Sequence, residues 1–145
     1  MNHDSYSDSY IKRILTRCRR FAFVGASQNQ SRPSYFAMKY LLAKGFRIVP
    51  VNPGQAGKEI LGQKVYASLA DIDEPIDVVD IFRNSDAALQ ITREAIEVGA
   101  KVVWMQLGVR NDEAAALAEA AGLEVVMNRC PKIEYGRLSG EIGWV

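Results

Sequence analysis

The sequence predicts an α/β fold built on a five-stranded parallel sheet. Short apolar runs alternate with amphipathic helical patterns along the 145 residues, which is typical of βαβ units. Glycine and Asn-Pro-Gly turn signals separate these segments. The first apolar run, residues 21–24 (FAFV), is apolar throughout, as expected for a strand that is buried on both faces.

Local signals set the ends of the predicted elements. Pro33 suits the first turn of a helix, where its missing N–H would have no partner. Asn84 or Ser85 can cap one later helix, and Asn111 another, because their side chains accept hydrogen bonds from free amides. The predicted elements are a helix over residues 9–18, strand 1 over 21–24, a helix over 33–44, strand 2 over 46–51, an extended loop over 59–66, a helical turn over 68–72, strand 3 over 76–82, a helix ending near Gly99, strand 4 over 101–105, a helix closed by Gly122, and strand 5 over 123–127. Residues 128–145 have no clear period and are predicted to be irregular.

Five strands joined by right-handed crossovers predict a Rossmann-like, doubly wound sheet with helices on both faces. We expect the strand order 3-2-1-4-5, with a ligand crevice between the carboxyl ends of strands 1 and 4. The length predicts one domain over residues 1–145, with residues 1–19 forming a helix packed on the core. The loops at the crevice are residues 25–34, 52–57, 82–85 and 106–110.

Composition limits the classes of partner. A formal net charge of +1 without a basic stripe argues against nucleic acid. No apolar run reaches the roughly 20 residues of a membrane span, and the N-terminus does not resemble a secretory signal. Cys18 and Cys130 form neither a disulfide framework nor a metal-ligand pattern. We therefore predict a cytoplasmic protein without a metal.

The first loop has the chemistry of a phosphate site. Gly25 allows a ligand to approach the backbone, and the amides at the following helix N-terminus can receive a phosphate. Ser27 and Ser34 add hydroxyl donors, and Arg32 adds a positive charge. The alternative is a plain strand-to-helix connection, because a single G-A-S sequence is a weak motif.

The second loop argues against NAD. An NAD-binding fold usually has an Asp or Glu at the end of strand 2 to hold the ribose. Here Asn52 stands at that end, while Val51 and Pro53 are expected to line an apolar slot for an adenine face. Lys58 can meet an additional phosphate. The alternative is a turn without a ligand.

The third and fourth loops supply further candidates. Asp80 lies within the buried run VVDIF, and we expect it to be paired with an arginine or to cap a neighbouring loop. Arg83 follows this run directly. Gln106 and Gly108 follow strand 4, where a bound nucleotide would pass, and Gln106 has no evident structural need. Trp104 is expected to belong to the core.

Taken together, these stretches resemble the small stand-alone coenzyme A-binding proteins, whose domain is similar to the CoA-binding domain of the succinyl-CoA synthetase α subunit. The resemblance rests on FVGAS followed by Pro33, VPVNP with GQKVYASL, VDIF, GAKVVWMQLGV and VVMNRCP, and it covers residues 21–131. It implies that CoA lies across the crevice. The implied contacts are the diphosphate at Gly25, Ala26 and Ser27, the adenosine near Val51, Asn52 and Pro53, and the remaining groups at Phe82, Arg83, Gln106, Leu107 and Gly108. The partner of the 3′-phosphate stays open among Arg32, Lys39, Lys58 and Arg83.

The sequence indicates a binding module rather than a catalyst. The synthetase in this resemblance uses a phosphorylated histidine on a second domain, whereas the single histidine here is His3, in an N-terminus that we expect to be frayed. Cys130 lies between Arg129 and Lys132, and neighbouring cations favour a thiolate. We hypothesise that Cys130 forms a mixed disulfide with bound CoA; the alternative is a buried, inert cysteine. We assign Cys18 to the core.

Two other functions remain open at this point. One is an NAD(H)-sensing module, which the missing strand-2 carboxylate disfavours. The other is an accessory subunit of an acyl-CoA enzyme, for which an exposed apolar tail (Ile142, Trp144 and Val145) is a candidate partner surface. The alternative is that this tail closes over the core of the protein itself. The sequence does not distinguish free CoA from acyl-CoA, nor a monomer from a homo-oligomer.

Overall fold

The chain folds into a parallel five-stranded sheet with helices on both faces, which confirms the predicted Rossmann-like fold class. The structure, a computed structural model, describes residues 1–142, with side chains as far as Ser139. The helices are α1 (Asp8–Arg17), α2 (Pro33–Ala43), α3 (Ala88–Glu97), α4 (Asp112–Ala120) and α5 (Pro131–Ile142). The main-sheet strands are β1 (Arg20–Val24), β2 (Arg47–Val51), β5 (Val78–Ile81), β6 (Val102–Met105) and β7 (Glu124–Val126). Two short strands, β3 (Glu59–Ile60) and β4 (Gln63–Lys64), form an antiparallel hairpin within the predicted extended loop.

The strand order differs from our prediction. The main sheet runs β2-β1-β5-β6-β7, so in order of appearance its strands are arranged 2-1-3-4-5 rather than 3-2-1-4-5. Pro50 gives the physical reason, because a proline cannot donate to a strand ladder and is therefore confined to edge strands. The Pro50 carbonyl accepts from the Tyr66 amide at 3.0 Å, so this residue faces the outer edge, away from β1. Strand 2 is thus an edge strand, and strand 3 pairs with strand 1 on its other side.

This order moves the point at which the sheet reverses its winding. Helices α1, α2 and α5 pack on one face of the sheet, and helices α3 and α4 pack on the other. The helices that follow β1 and β5 therefore lie on opposite faces. The crevice opens between the carboxyl ends of β1 and β5, where ligands of doubly wound sheets bind.

The C-terminal segment is helical where we predicted it to be irregular. Helix α5 begins at Pro131 and buries Tyr135 and Leu138. The Tyr135 ring packs edge-on against Phe46, with ring centroids 5.6 Å apart. Glycines at positions 136 and 140 hide the helical period in the sequence. Trp144 and Val145, and the side chain of Ile142, which we proposed as a partner surface, lie outside the described residues.

The N-terminus is also more ordered than predicted. The His3 side chain is 7% exposed and lies 3.0 Å from a carboxylate oxygen of Glu119 on α4. Its other ring nitrogen lies 2.7 Å from the Tyr6 hydroxyl, which accepts from the Met127 amide. This N-terminal segment is held by polar contacts to α4 and to the end of β7. Because such contacts leave no apolar periodicity in the sequence, its ordered position could not be predicted. Within residues 1–142, no helix is long and apolar enough to cross a membrane.

Candidate functional site

A cavity of about 720 Å³ opens at the carboxyl ends of β1, β5 and β6. It lies between the N-termini of α2 and α5. Eight of the residues assigned to the site from the sequence line it: Gly25, Ser27, Arg32, Ser34, Phe82, Gln106, Leu107 and Cys130. The remaining lining residues are Ser31, Pro33, Phe36, Val109, Lys132 and Ile133.

Gly25 sits where the loops after β1 and β5 meet. Its φ is +93°, a conformation that residues with a Cβ rarely adopt. A Cβ at this position would lie 3.1 Å from the Phe82 carbonyl oxygen and 2.9 Å from Cδ of Arg83. The glycine therefore allows both the backbone turn and the close approach of the loop after β5.

The first turn of α2 is open toward the cavity. Arg32, at the N-cap position, makes no side-chain capping bond, and the first turn of this helix carries no acidic residue. By contrast, Asn111 caps α4, which has two acids in its first turn. Pro33 has no N–H, and the Tyr35 and Phe36 amides donate to the Arg32 carbonyl at 3.0 and 3.4 Å, so the Ser34 amide and the helix dipole favour an anion at this N-terminus.

Ser27 and Ser34 connect the loop to this helix. The Ser27 amide donates to the Ser34 hydroxyl at 3.2 Å, and the Asn29 amide donates to the Ser27 hydroxyl at 3.0 Å. Each hydroxyl oxygen thus accepts one backbone bond, and its own hydrogen is available to donate. Both residues line the cavity beside the open helix end.

Gln106 places an unpartnered polar group at the cavity. Its side chain is 5% exposed, and its Oε1 has no hydrogen-bond partner among the described residues. A buried amide oxygen without a partner costs about 1–3 kcal/mol. Gln106 lines the cavity but its Oε1 is itself covered, so a ligand N–H reaches this oxygen when the side chain turns toward the cavity.

The segment leading into α5 is fixed against the loop that contains Gln106. The Arg129 amide donates to the Met105 carbonyl at 3.2 Å, and the Asn128 amide donates to the Val109 carbonyl at 3.1 Å. Asn128 has a positive φ of 58°, and its side chain accepts from the Gly108 amide at 2.8 Å. These bonds hold Cys130 and Gln106 in a fixed relation on one wall.

Trp104 supports the same wall from below. It is completely buried, as predicted for a core residue, and its indole N–H donates to the Arg129 carbonyl at 2.9 Å. The partner of this indole is the carbonyl that directly precedes Cys130. The core thus positions the cavity wall through a side chain that has no exposure itself.

Cys130 is buried at the edge of the core and lines the cavity. It directly precedes Pro131, and its carbonyl accepts from the Glu134 amide at 3.0 Å, so it takes the N-cap position of α5. Cys18, as predicted, belongs to the core, and burial raises the pKa of its thiol.

The second loop lies outside the cavity. Asn52 donates to the Ala26 carbonyl at 2.8 Å and accepts from the Gly54 amide at 2.9 Å, so its side chain links the first two loops. Val51 is buried in the core and Ala26 is 1% exposed, whereas Pro53 is exposed together with Gly54, Ala56 and Gly57. Gly108 is exposed, and a Cβ there would meet no atom, so its glycine serves the turn rather than a close approach.

The charged residues divide into two groups. Arg32 and Lys132 line the cavity, and among its described lining residues there is no Asp or Glu. Lys39, Lys58 and Arg83 are exposed and lie outside its wall. Arg129, which flanks Cys130 in the sequence, instead lies over the Tyr6 ring, 5.3 Å from its centroid. The charge of the cavity wall is therefore positive, as an anionic ligand requires.

Asp80 contradicts our expectation of a structural partner. It is 0% exposed in β5, and neither carboxylate oxygen has a hydrogen-bond partner in the described chain. Burial raises its pKa well above the ordinary value, because the ionised form would lose its hydration. Asp80 pairs in register with Phe23 and Trp104, so it lies in the middle of the sheet.

Sequence reasoning named Leu107 but missed the other two residues of the apolar rim of the cavity, Phe36 and Ile133. Phe36, Leu107 and Ile133 are each about half exposed and come from three different elements. Phe36 lies off the buried stripe of α2, and an aromatic residue on the outer side of a helix was the available signal. Ile133 lies in the segment that we predicted to be irregular.

The fold is a doubly wound α/β domain, and its cavity opens at the point where the winding of the sheet reverses. Comparison with protein families gives the more specific assignment. The model of the CoA-binding domain matches residues 19–136, and the chain belongs to this family.

Relatives support the assignment over most of the chain. Bacillus subtilis (strain 168) YneT is 39% identical over 129 residues, which cover 89% of this chain and 94% of YneT. A solved protein structure from Pyrococcus horikoshii OT3 has a TM-score of 0.90 and 43% identity, covering 97% of both chains. The ADP-forming acetate–CoA ligase of Methanocaldococcus jannaschii is 28% identical over 92 residues, which cover 63% of this chain and 13% of the ligase.

Proposed function

We propose that the protein binds coenzyme A or an acyl-CoA across the crevice and acts as a binding module rather than a catalyst. One observation carries the proposal. The N-terminus of α2 and the residue Gln106, whose buried Oε1 has no partner among the described residues, line one cavity whose charged residues are Arg32 and Lys132. A site for an anion beside a hydrogen-bond acceptor in the same cavity fits a ligand that contains a diphosphate and, further along its chain, amide groups.

The ligand takes the following course in this proposal. The diphosphate lies at Gly25 and Ser27 and accepts a hydrogen bond from the Ser34 amide in the first turn of α2. The adenosine extends toward Pro53, and the pantetheine arm enters the cavity toward Gln106. One pantetheine amide N–H donates to the Gln106 Oε1, which gives that buried oxygen its missing partner.

Titration calorimetry on ligand-free protein tests this function. We expect CoA to bind with a micromolar Kd and NAD and NADH to show no binding. Preference for NADH would overturn the proposal in favour of the sensor alternative. Comparing CoA with 3′-dephospho-CoA in single variants of Arg32, Lys39, Lys58 and Arg83 identifies the partner of the 3′-phosphate.

A pair of glutamine variants tests the geometry. Gln106→Met keeps the length of the side chain but removes the acceptor, and we expect CoA affinity to fall about 10-fold, as for one lost buried hydrogen bond. Gln90→Met, at an exposed position on α3, is the matched control and retains affinity. Equal affinities of both variants would exclude Gln106 from the site.

The redox hypothesis for Cys130 belongs to the same site. The Cys130 thiolate attacks one sulfur of CoA disulfide, forms a protein–CoA disulfide and releases one CoA thiolate, so electrons balance without another oxidant. Mass spectrometry of protein treated with CoA disulfide should show one CoA adduct at Cys130, reversed by dithiothreitol. The Cys18→Ala variant should form it equally, and the absence of an adduct would overturn the hypothesis.

A second candidate function follows from the acetate–CoA ligase relative, in which a region similar to this chain forms a small part of a longer enzyme. The protein would then serve as an accessory subunit of an acyl-CoA enzyme. Sedimentation of the protein with and without CoA would test for self-association. Co-purification with an acyl-CoA enzyme from its own cells would support the accessory role.

A further inference from the structure

We propose that Cys130 accepts the acyl group of a bound acyl-CoA, so that the protein becomes S-acylated. This inference rests on the proposed CoA site and extends it to a specific ligand class, the acyl-CoA thioester. Three features of the cavity support this inference: the position of Cys130 at the N-cap of α5, the buried amide of Gln106 and the apolar rim.

The first feature is the helix end beside the thiol. Cys130 takes the N-cap position of α5, and Lys132 and Ile133 of the first turn line the same cavity. The first amides of a helix have no carbonyl partner within the helix. They and the helix dipole stabilise negative charge, both on an attacking thiolate and on the oxygen of a thioester carbonyl under attack.

The second feature is independent of the cysteine. Gln106 is only 5% exposed, and its Oε1 has no hydrogen-bond partner among the described residues. It lines the cavity that Cys130 also lines, and backbone hydrogen bonds hold the two segments together. A pantetheine amide bound at this oxygen fixes the arm whose end carries the thioester.

The third feature distinguishes an acyl-CoA from free CoA. Among the described residues, five large hydrophobic side chains are exposed, and three of them, Phe36, Leu107 and Ile133, line this cavity. Free CoA ends in a thiol and has no apolar chain beyond its sulfur to cover them. An acyl chain that continues beyond the thioester would cover this surface and gain hydrophobic contact.

The reaction is an exchange between two thioesters. The Cys130 thiolate attacks the acyl carbonyl carbon, the new carbon–sulfur bond forms, and the bond to the CoA sulfur breaks. CoA leaves as a thiolate and takes up the proton that Cys130 lost. No oxidant, reductant or nucleotide is consumed, so atoms and electrons balance between protein and ligand.

Intact-protein mass spectrometry tests the inference. Reduced full-length protein is incubated with acetyl-CoA or octanoyl-CoA, and we expect one acyl adduct that hydroxylamine removes and that peptide mapping places at Cys130. Cys18→Ala should retain the adduct and Cys130→Ser should lose it. Ile133→Ser should slow octanoyl transfer roughly 10-fold relative to acetyl transfer. Val98→Ser, an exposed apolar site away from the cavity, should change neither rate.

Calorimetry with Cys130→Ser separates this inference from the proposed function. If this variant binds acyl-CoA and the wild type forms no adduct, the acyl-acceptor role is wrong while CoA binding stands. If the adduct persists in Cys130→Ser, acylation is non-specific and the role is also wrong. If neither CoA nor acyl-CoA binds, the proposed function fails together with the inference.

Discussion

Replacing Gly25 with alanine tests the geometry on which the site depends. The φ of +93° costs an L-residue about 1–2 kcal/mol. The new Cβ would also lie 3.1 Å from the oxygen and 3.2 Å from the carbon of the Phe82 carbonyl, both backbone atoms that cannot rotate away. Such overpacking costs about 1–3 kcal/mol. We therefore expect a total loss of about 2–5 kcal/mol, which most domains of this size survive.

Gly122→Ala is the matched control for this substitution. Gly122 has a φ of +88°, and a Cβ there would meet no heavy atom within 4 Å. It should therefore show the backbone cost of about 1–2 kcal/mol without the steric contribution.

Urea unfolding measures both variants, and calorimetry measures CoA binding at a temperature where both are folded. We expect CoA affinity to fall at least about 10-fold in Gly25→Ala, because the Phe82–Arg83 loop must move, and to stay unchanged in Gly122→Ala. If the two variants lose equal stability and both retain affinity, the close approach at Gly25 has no role in the site and the reasoning is refuted.

Three further predictions concern stability. Asp80→Asn should be more stable than the wild type at pH 7, because burial raises the folded-state pKa of Asp80. The wild type has its full stability below about pH 4 and loses stability as the pH rises toward that raised pKa. In urea unfolding, the advantage of the variant should therefore grow from pH 4.5 by up to about 1.4 kcal/mol per pH unit and become constant above the folded-state pKa. An advantage independent of pH would contradict this. Asn128→Ala should lower the stability of the fold more than Asn128→Gly. Both variants lose the hydrogen bond from the Gly108 amide, but only alanine is strained at the positive φ of this position. The reverse order in thermal unfolding would exclude backbone strain at residue 128. Tyr10→Phe should lower the free energy of unfolding by about 1–3 kcal/mol, because the Tyr10 hydroxyl donates to the Val125 carbonyl and accepts from the Val125 amide. One such bond usually contributes ~1 kcal/mol, so a loss below about 0.5 kcal/mol in urea unfolding would indicate that water replaces the hydroxyl.

The fold class was predictable from the sequence because buried strands and helix caps are local signals. Asn84 and Asn111 cap the turns that we assigned to them. Strand order is not local, since each order leaves the same strands buried. Pro50 held the necessary information, because an internal strand 2 would need the N–H that proline lacks. The sheet order was therefore encoded in one residue that we interpreted only as part of an apolar run.

The site was predictable in part for the same reason. Gly25 and Gln106 follow strands, and the carboxyl ends of parallel strands share one edge, so their proximity followed from the fold class alone. Ile133 and Lys132 reach the cavity from α5, whose weak apolar period gave no helix prediction. Phe36 is exposed on a helix that is apolar on several sides, so its outer position emerges only from packing.

The side chains of Asp80 and Gln106 both contain buried oxygens that have no hydrogen-bond partner among the described residues. Val78 belongs to the core on the α2 and α5 face, and Asp80, two residues later in the same strand, faces the same side. Trp104 on β6 and Gln106, the residue that directly follows β6, have the same spacing of two residues. Two carboxylate oxygens and one amide oxygen without partners thus lie on one face of the sheet, and the outermost of them lines the cavity. A folded chain retains such costs where function requires them. A ligand amide that bonds to Gln106 recovers about 1–3 kcal/mol of this cost, which favours the bound state without any change in the rest of the core.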